Sequence, residues 1–444
     1  MNAGRKKVAA AILIVACLAL LCTTLVPTSS LEDDAAANQD IALSSGEEML
    51  TPSDEPGTSD QSFTDDEMSR YSKNMDIWFM LMLVAFLMIF IRKFEWGVAL
   101  ATLLVTAGSF LSYMAIQQFY FGADIWDQTL MIRGVICSIT VVIAIGVFLG
   151  TVKMWQYLLV GVLFAPVYAL VEWFLTAAPY LNDLGIGTVT DPGGSIMVHM
   201  CAAYFGLGVL LALREKRAFK EPMYTTTHSV TFVWLASMLL FILWPSFVTS
   251  LLPADQVTWG LVTCYMSGIG SMITTYIILE ITQKKVNPLI YTYAMLAGPV
   301  AIGSPLLLVN QWGALVVGLV AGAVSALAFV YLQPWLCKKM GAVDVMGVHN
   351  LHGVGGWIGA LSVVVITGEL VNAVAAVCVA VIVLVLGAVV GLVVRFTRGK
   401  MTDDMLFTDD TDFIKTEDPN QKYIQTKLDE DPVTDADAPG PGTA

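Results

Sequence analysis

Charged residues are scarce in this chain of 444 residues, at 14% of the sequence, where a soluble domain carries about 25%. Basic residues are fewer than acidic ones. The chain has 23 Lys and Arg and 37 Asp and Glu, which gives a formal net charge of -14. No basic stripe occurs, so nucleic acid is not an expected partner. With 56% hydrophobic residues, the composition predicts a membrane protein and excludes a soluble enzyme.

Cysteines at the spacing of a metal site or a redox motif are also missing. The seven cysteines are scattered and no CxxC occurs. We interpret them as small apolar residues, and we expect no disulfide, no metal centre and no cofactor.

The acidic residues are concentrated in two polar stretches. By count, 12 of the 37 lie in 28–75 and another 12 in 401–444. This composition predicts a solvated acidic loop over 28–75 and a disordered tail over 397–444. The two stretches enclose a predicted membrane domain over 76–396. The apolar residues 1–27 suit either a signal peptide or a retained first span, and we favour the span.

Long apolar segments are abundant. Twelve of them approach the roughly 20 residues that a helix needs to cross a bilayer, whereas barrel strands would be about 10 residues long and alternating. We therefore predict an all-α polytopic membrane protein of twelve spans. The segments lie near 8–27, 76–92, 97–115, 129–151, 155–177, 193–213, 229–252, 257–281, 288–306, 311–334, 345–367 and 371–396.

Lys and Arg fall on alternate sides of these spans. If the N-terminus is cytoplasmic, the outside loops hold only Arg70 and Lys73, with Arg133 near the outer start of a span. The positive-inside rule then predicts that the acidic loop 28–75 is extracytoplasmic and the tail cytoplasmic. We expect a multi-pass protein of the cell membrane. Cleavage of the first segment would leave eleven spans with the same orientation.

Two stretches carry three of the four histidines. DPGGSIMVHMCAAYFGL, residues 191–207, contains His199, and DVMGVHNLHGVGG, residues 344–356, contains His349 and His352. In the predicted topology the two stretches enter the membrane from opposite sides, which is typical of an inverted repeat.

The helical rise predicts how deep these histidines lie. His199 is about 12 Å beyond Asp191, and His349 roughly 8 Å beyond Asp344, in a hydrocarbon core of about 30 Å. We therefore predict that His199 and His349 meet near the midplane. His352 lies one turn deeper, as a secondary pore residue or a support. The two aspartates are expected to cap their helices or to attract a cation in a vestibule.

Two other interpretations of the histidines remain. A buried histidine can simply bond a neighbouring helix. The HNLH sequence also offers two nitrogen ligands to a metal with His199 as a third, but no fourth ligand stands nearby in the sequence.

The two histidine stretches together resemble the ammonium transporter/Rhesus glycoprotein (Amt/Rh) superfamily. The forms HNLHG and AYFGL are similar to its Rh-like branch, as are WPSF at 244–247 and FVYLQPWL at 329–336. The resemblance extends from about residue 76 to residue 396.

The resemblance implies eleven core helices in two inverted halves, plus an extra N-terminal helix. It also implies a homotrimer with one pore in each subunit, conducting ammonia or ammonium and, in some Rh members, carbon dioxide. His199 and His349 match the pore histidines, and Phe247 matches one gate aromatic. In AIGVFLG, residues 144–150, Ile145 stands at the position of the second gate residue.

Two alternative functions are kept. An ammonium sensor could use the same fold with the acidic tail as its output, and a transporter could carry another small solute.

Overall fold

The computed structural model describes residues 65–91, 94–176, 187–217 and 225–407. Within these ranges every regular element is helical, which confirms the predicted all-α class. Eleven helical segments follow one another. They are α1 Asp65–Leu87, α2 Glu95–Phe119, α3 Gln128–Ile145, α4 Met154–Thr176, α5 Ser195–Leu213, α6 Thr227–Val248, α7 Ala254–Gln283, α8 Pro288–Ile302, α9 Gln311–Met340, α10 His349–Thr367 and α11 Val371–Arg398.

Nine helices of the described part, all except α1 and α8, are long and apolar enough to cross a membrane. Their bounds follow the apolar segments because each is a continuous hydrophobic stretch of the length that a bilayer requires. The predicted first segment, 8–27, and the tail beyond residue 407 lie outside the described residues. The predicted count of twelve spans is therefore not decided by this structure.

The beginning of α1 differs from the prediction. The helix begins at Asp65, inside the stretch predicted as loop 28–75. Its polar first turns are held by neighbouring helices rather than by apolar burial: the Asn74 side-chain amide donates to the carbonyl of Gln128 at 3.2 Å, and Arg70 bonds the Thr129 hydroxyl. Hydropathy does not register a helix stabilised in this way, so the sequence placed the boundary too late.

The two halves of the chain repeat the same contacts. In the first half α2 and α4 cross at Gly161, where a Cβ would collide with the backbone of Val105; in the second half α7 and α9 cross at Gly318, where a Cβ would collide with the backbone of Ser267. Small residues allow this close approach of helices in a membrane.

The repeat also determines where α5 and α10 begin. The N–H of Gly193, just before α5, donates to the carbonyl of Gly303 at the end of α8. The N–H of Val345, just before α10, donates to the carbonyl of Val147 at the end of α3. The third helix of each half thus holds the fifth helix of the other.

Candidate functional site

A carboxylate holds the first turn of α5. Asp191 Oδ2 accepts the N–H groups of Ile196 and Met197 at 2.9 and 2.8 Å. Its Oδ1 accepts the hydroxyl of Ser304 at 2.6 Å. Gly194, three residues after the aspartate, has a φ of 77°, which a residue with a Cβ rarely adopts. Asp191 therefore satisfies helix N–H groups that no preceding carbonyl can reach.

The first turn of α10 is built in the same way. Asp344 accepts the N–H groups of Val348 and His349, each at 3.0 Å. Gly347, again three residues after the aspartate, has a φ of 66°. Both helices then open with a π-helical turn, Ser195–Met200 in α5 and His349–Gly353 in α10. Such turns are rare and are frequent at functional sites.

The two π turns bring His199 and His352 together. Their Nδ1 atoms are 3.1 Å apart, and the rings stack with centroids 5.1 Å apart at an interplanar angle of 23°. Both side chains are buried, with 1% and 8% of their surface exposed. Each histidine is the eighth residue after the aspartate that caps its helix, so the inverted halves deliver the two rings to one point.

Because the contact joins the Nδ1 atoms of both rings, the two neutral imidazoles must carry their protons on different nitrogens. A neutral imidazole carries one N–H, so one ring donates from Nδ1 and the other accepts on a bare Nδ1. The first ring then has a bare Nε2 and the second an Nε2–H. Among the residues that the structure describes, none is a hydrogen-bond partner of the buried His199 Nε2. The pair can therefore offer a small molecule one donor and one acceptor.

Two small apolar cavities lie beside this pair, and His352 lines both. The first is also lined by His199, Trp244 and Phe247. The second is also lined by Tyr293 and Met346. Each has a volume of about 30 Å³, room for about two water-sized molecules. Both cavities are lined by Val84, Leu87, Ile143, Leu351 and His352.

The predicted partner of His199 was wrong. His349 lines neither cavity; its Nε2 lies 3.4 Å from the hydroxyl of Tyr204, which also accepts the indole N–H of Trp357 at 2.7 Å. Residues three apart differ by about 60° around an α-helix, and the wider π turn increases that angle. The His349 ring is therefore turned away from the His352 ring.

Phe247 and Ile145, which the sequence suggested as two gate residues, do not line the same cavity of the two. The Phe247 ring is 6.0 Å from the His199 ring, and the Trp244 ring is 5.7 Å from it. Ile145 is buried but lines neither cavity, whereas Ile139 and Ile143 of the same helix line the first. Positions two apart point about 200° apart on a helix, so Ile145 faces the opposite side of α3.

One signal in the sequence could have found the correct pair. The spacing from aspartate to histidine is eight in DPGGSIMVH, and in DVMGVHNLH the same spacing selects His352 rather than His349. No simple pattern identified Trp244 or Tyr204, because aromatic residues are common throughout these apolar helices. Among the described residues, no group of three or more His, Cys, Asp and Glu side chains could hold a metal ion.

Charged residues gather at the opposite end of the bundle from Asp191, beyond the last turn of α5. Arg217 donates to Glu215 at 2.8 to 2.9 Å and to Asp403 at 2.8 Å. Arg398 lies 3.4 Å from Glu215. The hydrogen bond from the Arg217 guanidinium lowers the pKa of Glu215 below its ordinary value, against the effect of partial burial.

These contacts fix the segment after α11. Arg217 also donates to the carbonyl of Met401 at 2.8 Å. Further on, the N–H of Phe407 donates to the carbonyl of Gly150 at 2.8 Å, and its ring meets that of Phe94 edge-on. Residues 401–407 therefore pack against the loop that follows α3, next to the residues that hold the start of α10.

A polytopic helical bundle with inverted halves and a histidine pair between two apolar cavities defines a class of membrane transport protein. The chain belongs to the Ammonium Transporter Family, which it matches over residues 62–407, and to the Rh-like branch of that family.

Similar proteins agree with this assignment. Ammonium transporter Rh type A of Canis lupus familiaris is 29% identical over 332 residues, 70% of this chain and 75% of the relative. Ammonium transporter Rh type B of Takifugu rubripes is 31% identical, over 68% of this chain and 67% of the relative. The matches to Rh type C of Oryctolagus cuniculus and Xenopus laevis span less than two thirds of those relatives, 48% and 62%.

A solved structure of Rh50 from Nitrosomonas europaea, described with the mechanism of conduction by the Rhesus protein family of channels, is 30% identical with a TM-score of 0.74. It covers 82% of this chain and 96% of its own. Mep2 of Candida albicans is 16% identical with a TM-score of 0.63, over 76% of this chain and 86% of its own, and shares the fold.

Proposed function

We propose that this protein conducts ammonia, derived from ammonium, through the two cavities and past the His199–His352 pair. The observation that carries the proposal is the 3.1 Å contact between the two imidazoles, one of which, His352, lines both cavities. Membership of the Ammonium Transporter Family supports the choice of substrate.

The chemistry of the walls favours the neutral molecule. Burying an unpaired cation in an apolar passage costs many kcal/mol, and the cavities present chiefly aliphatic and aromatic surface. Ammonia avoids most of that cost, and it can accept from one Nε2–H and donate to the other bare Nε2. Ammonium therefore transfers a proton to bulk water or buffer before it enters the first cavity, and the resulting ammonia crosses by exchanging hydrogen bonds with the pair.

Purified protein in liposomes tests this proposal. An inward ammonium gradient should alkalinise the lumen faster than in protein-free liposomes, because entering ammonia takes up a proton. Equal rates would contradict conduction. An imposed membrane potential that leaves the rate unchanged identifies neutral flux, whereas a potential-dependent rate shows that charge moves with the substrate.

Two alternatives have distinct outcomes. A structure described as a sensor Amt protein shares the fold at 16% identity, over 73% of this chain and 90% of its own, with a TM-score of 0.61. An ammonium sensor would bind the ligand without speeding alkalinisation. A transporter of another solute, or a carbon dioxide channel, would give flux that ammonium does not compete with. The flux assay with each solute distinguishes these cases.

We also propose an arrangement in the cell. The basic loops support a cytoplasmic tail and an extracytoplasmic acidic segment. Cysteines introduced at Ser59 and Thr426 should react with an impermeant reagent from opposite faces of the cell membrane, with the unsubstituted protein as the background control. Labelling of both from one face would contradict this topology.

A further inference from the structure

Two charged side chains of α1 hold the end of α6. Asp76 Oδ2 accepts the hydroxyl of Ser246 at 2.6 Å. Lys73 Nζ donates to the carbonyl of Thr249 at 2.8 Å, and the lysine is only 8% exposed. Lys73 lies in the part of α1 where hydropathy predicted a loop, and Asp76 is the first residue of the predicted span 76–92.

The two contacts enclose Phe247. Ser246 immediately precedes it and Thr249 follows it by two residues. The carbonyl of Thr249 lies at the C-terminal end of α6, where it accepts the N–H of Leu252 at 3.2 Å as well as the Lys73 ammonium. A lysine donating to such a carbonyl also interacts favourably with the negative end of the helix dipole.

Helix α1, which carries Lys73 and Asp76, also forms one wall of the cavities. Met80 and Val84 of α1 line the first cavity together with Phe247. Asp76 precedes Met80 by four residues, one turn further out on the same face of the helix. Helix α1 thus carries both lining residues of the first cavity and the groups that bond the residues on either side of Phe247.

We propose that Lys73 and Asp76 are positioning residues that set the width of the first cavity, which Phe247 lines together with Met80 and Val84 of α1, and thereby the size of the molecule that it admits. The proposal rests on the proposed conduction of ammonia. It predicts that the two side chains act through the backbone of residues 246–249, and that loosening them admits a larger amine.

The experiment compares ammonia with methylamine in proteoliposomes. Asp76→Ala and Ser246→Ala should each raise the ratio of methylamine flux to ammonia flux roughly threefold to tenfold, the range expected for the loss of one hydrogen bond. The double variant should be little different from either single variant, because both remove the same contact. Lys73→Met, which keeps the apolar stem and removes the donor, should shift the ratio in the same direction.

Two variants separate positioning from charge. Asp76→Asn retains an oxygen that accepts from Ser246, so it should keep the ratio of the unsubstituted protein. Thr231→Ala removes a hydroxyl of α6 whose one bond within the described ranges is to the carbonyl of Thr227 in its own helix, so it serves as the matched control. Gel filtration and thermal stability in detergent establish that each variant is folded.

An unchanged ratio in folded Asp76→Ala and Ser246→Ala would overturn the proposal. So would a pattern in which Asp76→Asn reduces ammonia flux as much as Asp76→Ala while Ser246→Ala has no effect, because that pattern assigns Asp76 the attraction of a cation. Failure of the unsubstituted protein to conduct ammonia would instead defeat the proposed function, so the two failures are distinguishable.

Discussion

At the residue scale, His199 and His352 depend on each other for a hydrogen-bond partner, since their Nδ1 atoms are 3.1 Å apart. Removing one ring leaves the other buried with an unsatisfied nitrogen, which costs about 1–3 kcal/mol. The substrate also loses a donor or an acceptor. The pair therefore acts as one unit.

An ordered series of alanine substitutions tests this. His199→Ala and His352→Ala should each lower ammonia flux roughly tenfold or more, as expected when a buried hydrogen bond to the substrate is lost. The double variant should be little worse than either single variant. His349→Ala should retain most of the flux, because His349 lines neither cavity.

His228 provides the control for this series. It is exposed at the start of α6 and packs edge-on against Phe232, with ring centroids 4.7 Å apart, so His228→Ala should leave alkalinisation of the liposomes unchanged. Abolished flux in His349→Ala together with normal flux in His352→Ala would refute the pairing.

The sequence predicted part of this site. It identified His199, the two aspartates at the helix starts and the inverted entry of the two segments, because acids, glycines and histidines stand out in apolar stretches. It failed at Ile145 for a physical reason. From Ile132 to Ile145, α3 is buried almost throughout, so its hydrophobic pattern is the same on every face and does not reveal which face meets the cavity.

At the element scale, the left-handed glycine before α10 is a point of sensitivity. A Cβ on Gly347 would collide with the ring of Phe329, whereas a Cβ on Gly341, which also has a positive φ, would meet nothing within 4 Å. Both alanine substitutions incur the backbone strain of about 1–2 kcal/mol. Gly347→Ala adds overpacking of about 1–3 kcal/mol.

Thermal unfolding in detergent measures this difference. Gly347→Ala should be the less stable variant, and it should also lose flux, since the strain falls between Asp344 and His352. Gly341→Ala is the matched control for positive φ alone. Equal stability of the two variants would show that the α10 start tolerates displacement.

The segment 401–407 should detach from the bundle at low pH. The pKa of Glu215 is lowered in the folded protein by its hydrogen bond from Arg217. The contact between Glu215 and Arg217 therefore stabilises the packed segment fully above the ordinary glutamate pKa of about 4.3. This stabilisation is lost as the pH falls through the lower pKa that Glu215 has in the folded protein.

Cysteine labelling can follow this change. Because only the thiolate reacts, each labelling rate is divided by that of a free thiol such as N-acetylcysteine at the same pH. Met401 is 7% exposed, so this ratio should be low for Met401→Cys at pH 7 and should rise as the pH falls below about 4.3. The same change with Arg217→Met should give a high ratio at both pH values. A ratio that does not depend on pH in the first variant would show that Glu215 does not hold the segment.

Element bounds were the most predictable feature of the fold. Apolar stretches such as those of α2 and α11 begin and end where the hydropathy does, because the bilayer length dictates both. The start of α1 was not predictable in this way, since its first turns are fixed by hydrogen bonds from residues 70, 73 and 74 to residues 128, 129 and 249, which are distant in sequence.

At the scale of the whole molecule, we expect three copies to associate. Exposed aliphatic and aromatic side chains on α6, α7 and α9 include Trp234, Ile273 and Val320, which suits contact with either lipid or another subunit. With a chain mass of 48.0 kDa, a trimer has three times that mass, about 144 kDa. Native mass spectrometry from lipid nanodiscs should give this value, and an active species at the mass of one chain would contradict it.

The small size of the two cavities has a consequence for osmosis. A file of water crosses a membrane protein only if each molecule keeps two or more polar partners, and here the histidine pair is the main source of such partners across two apolar spaces of about 30 Å³ each. Proteoliposomes placed in hypertonic sucrose should therefore shrink no faster than protein-free liposomes in a stopped-flow light-scattering measurement. Faster shrinkage would reveal a continuous wet path. If the protein passes no water, a cell that carries it exchanges its nitrogenous solute with the surroundings while cell volume and turgor stay independent of that exchange.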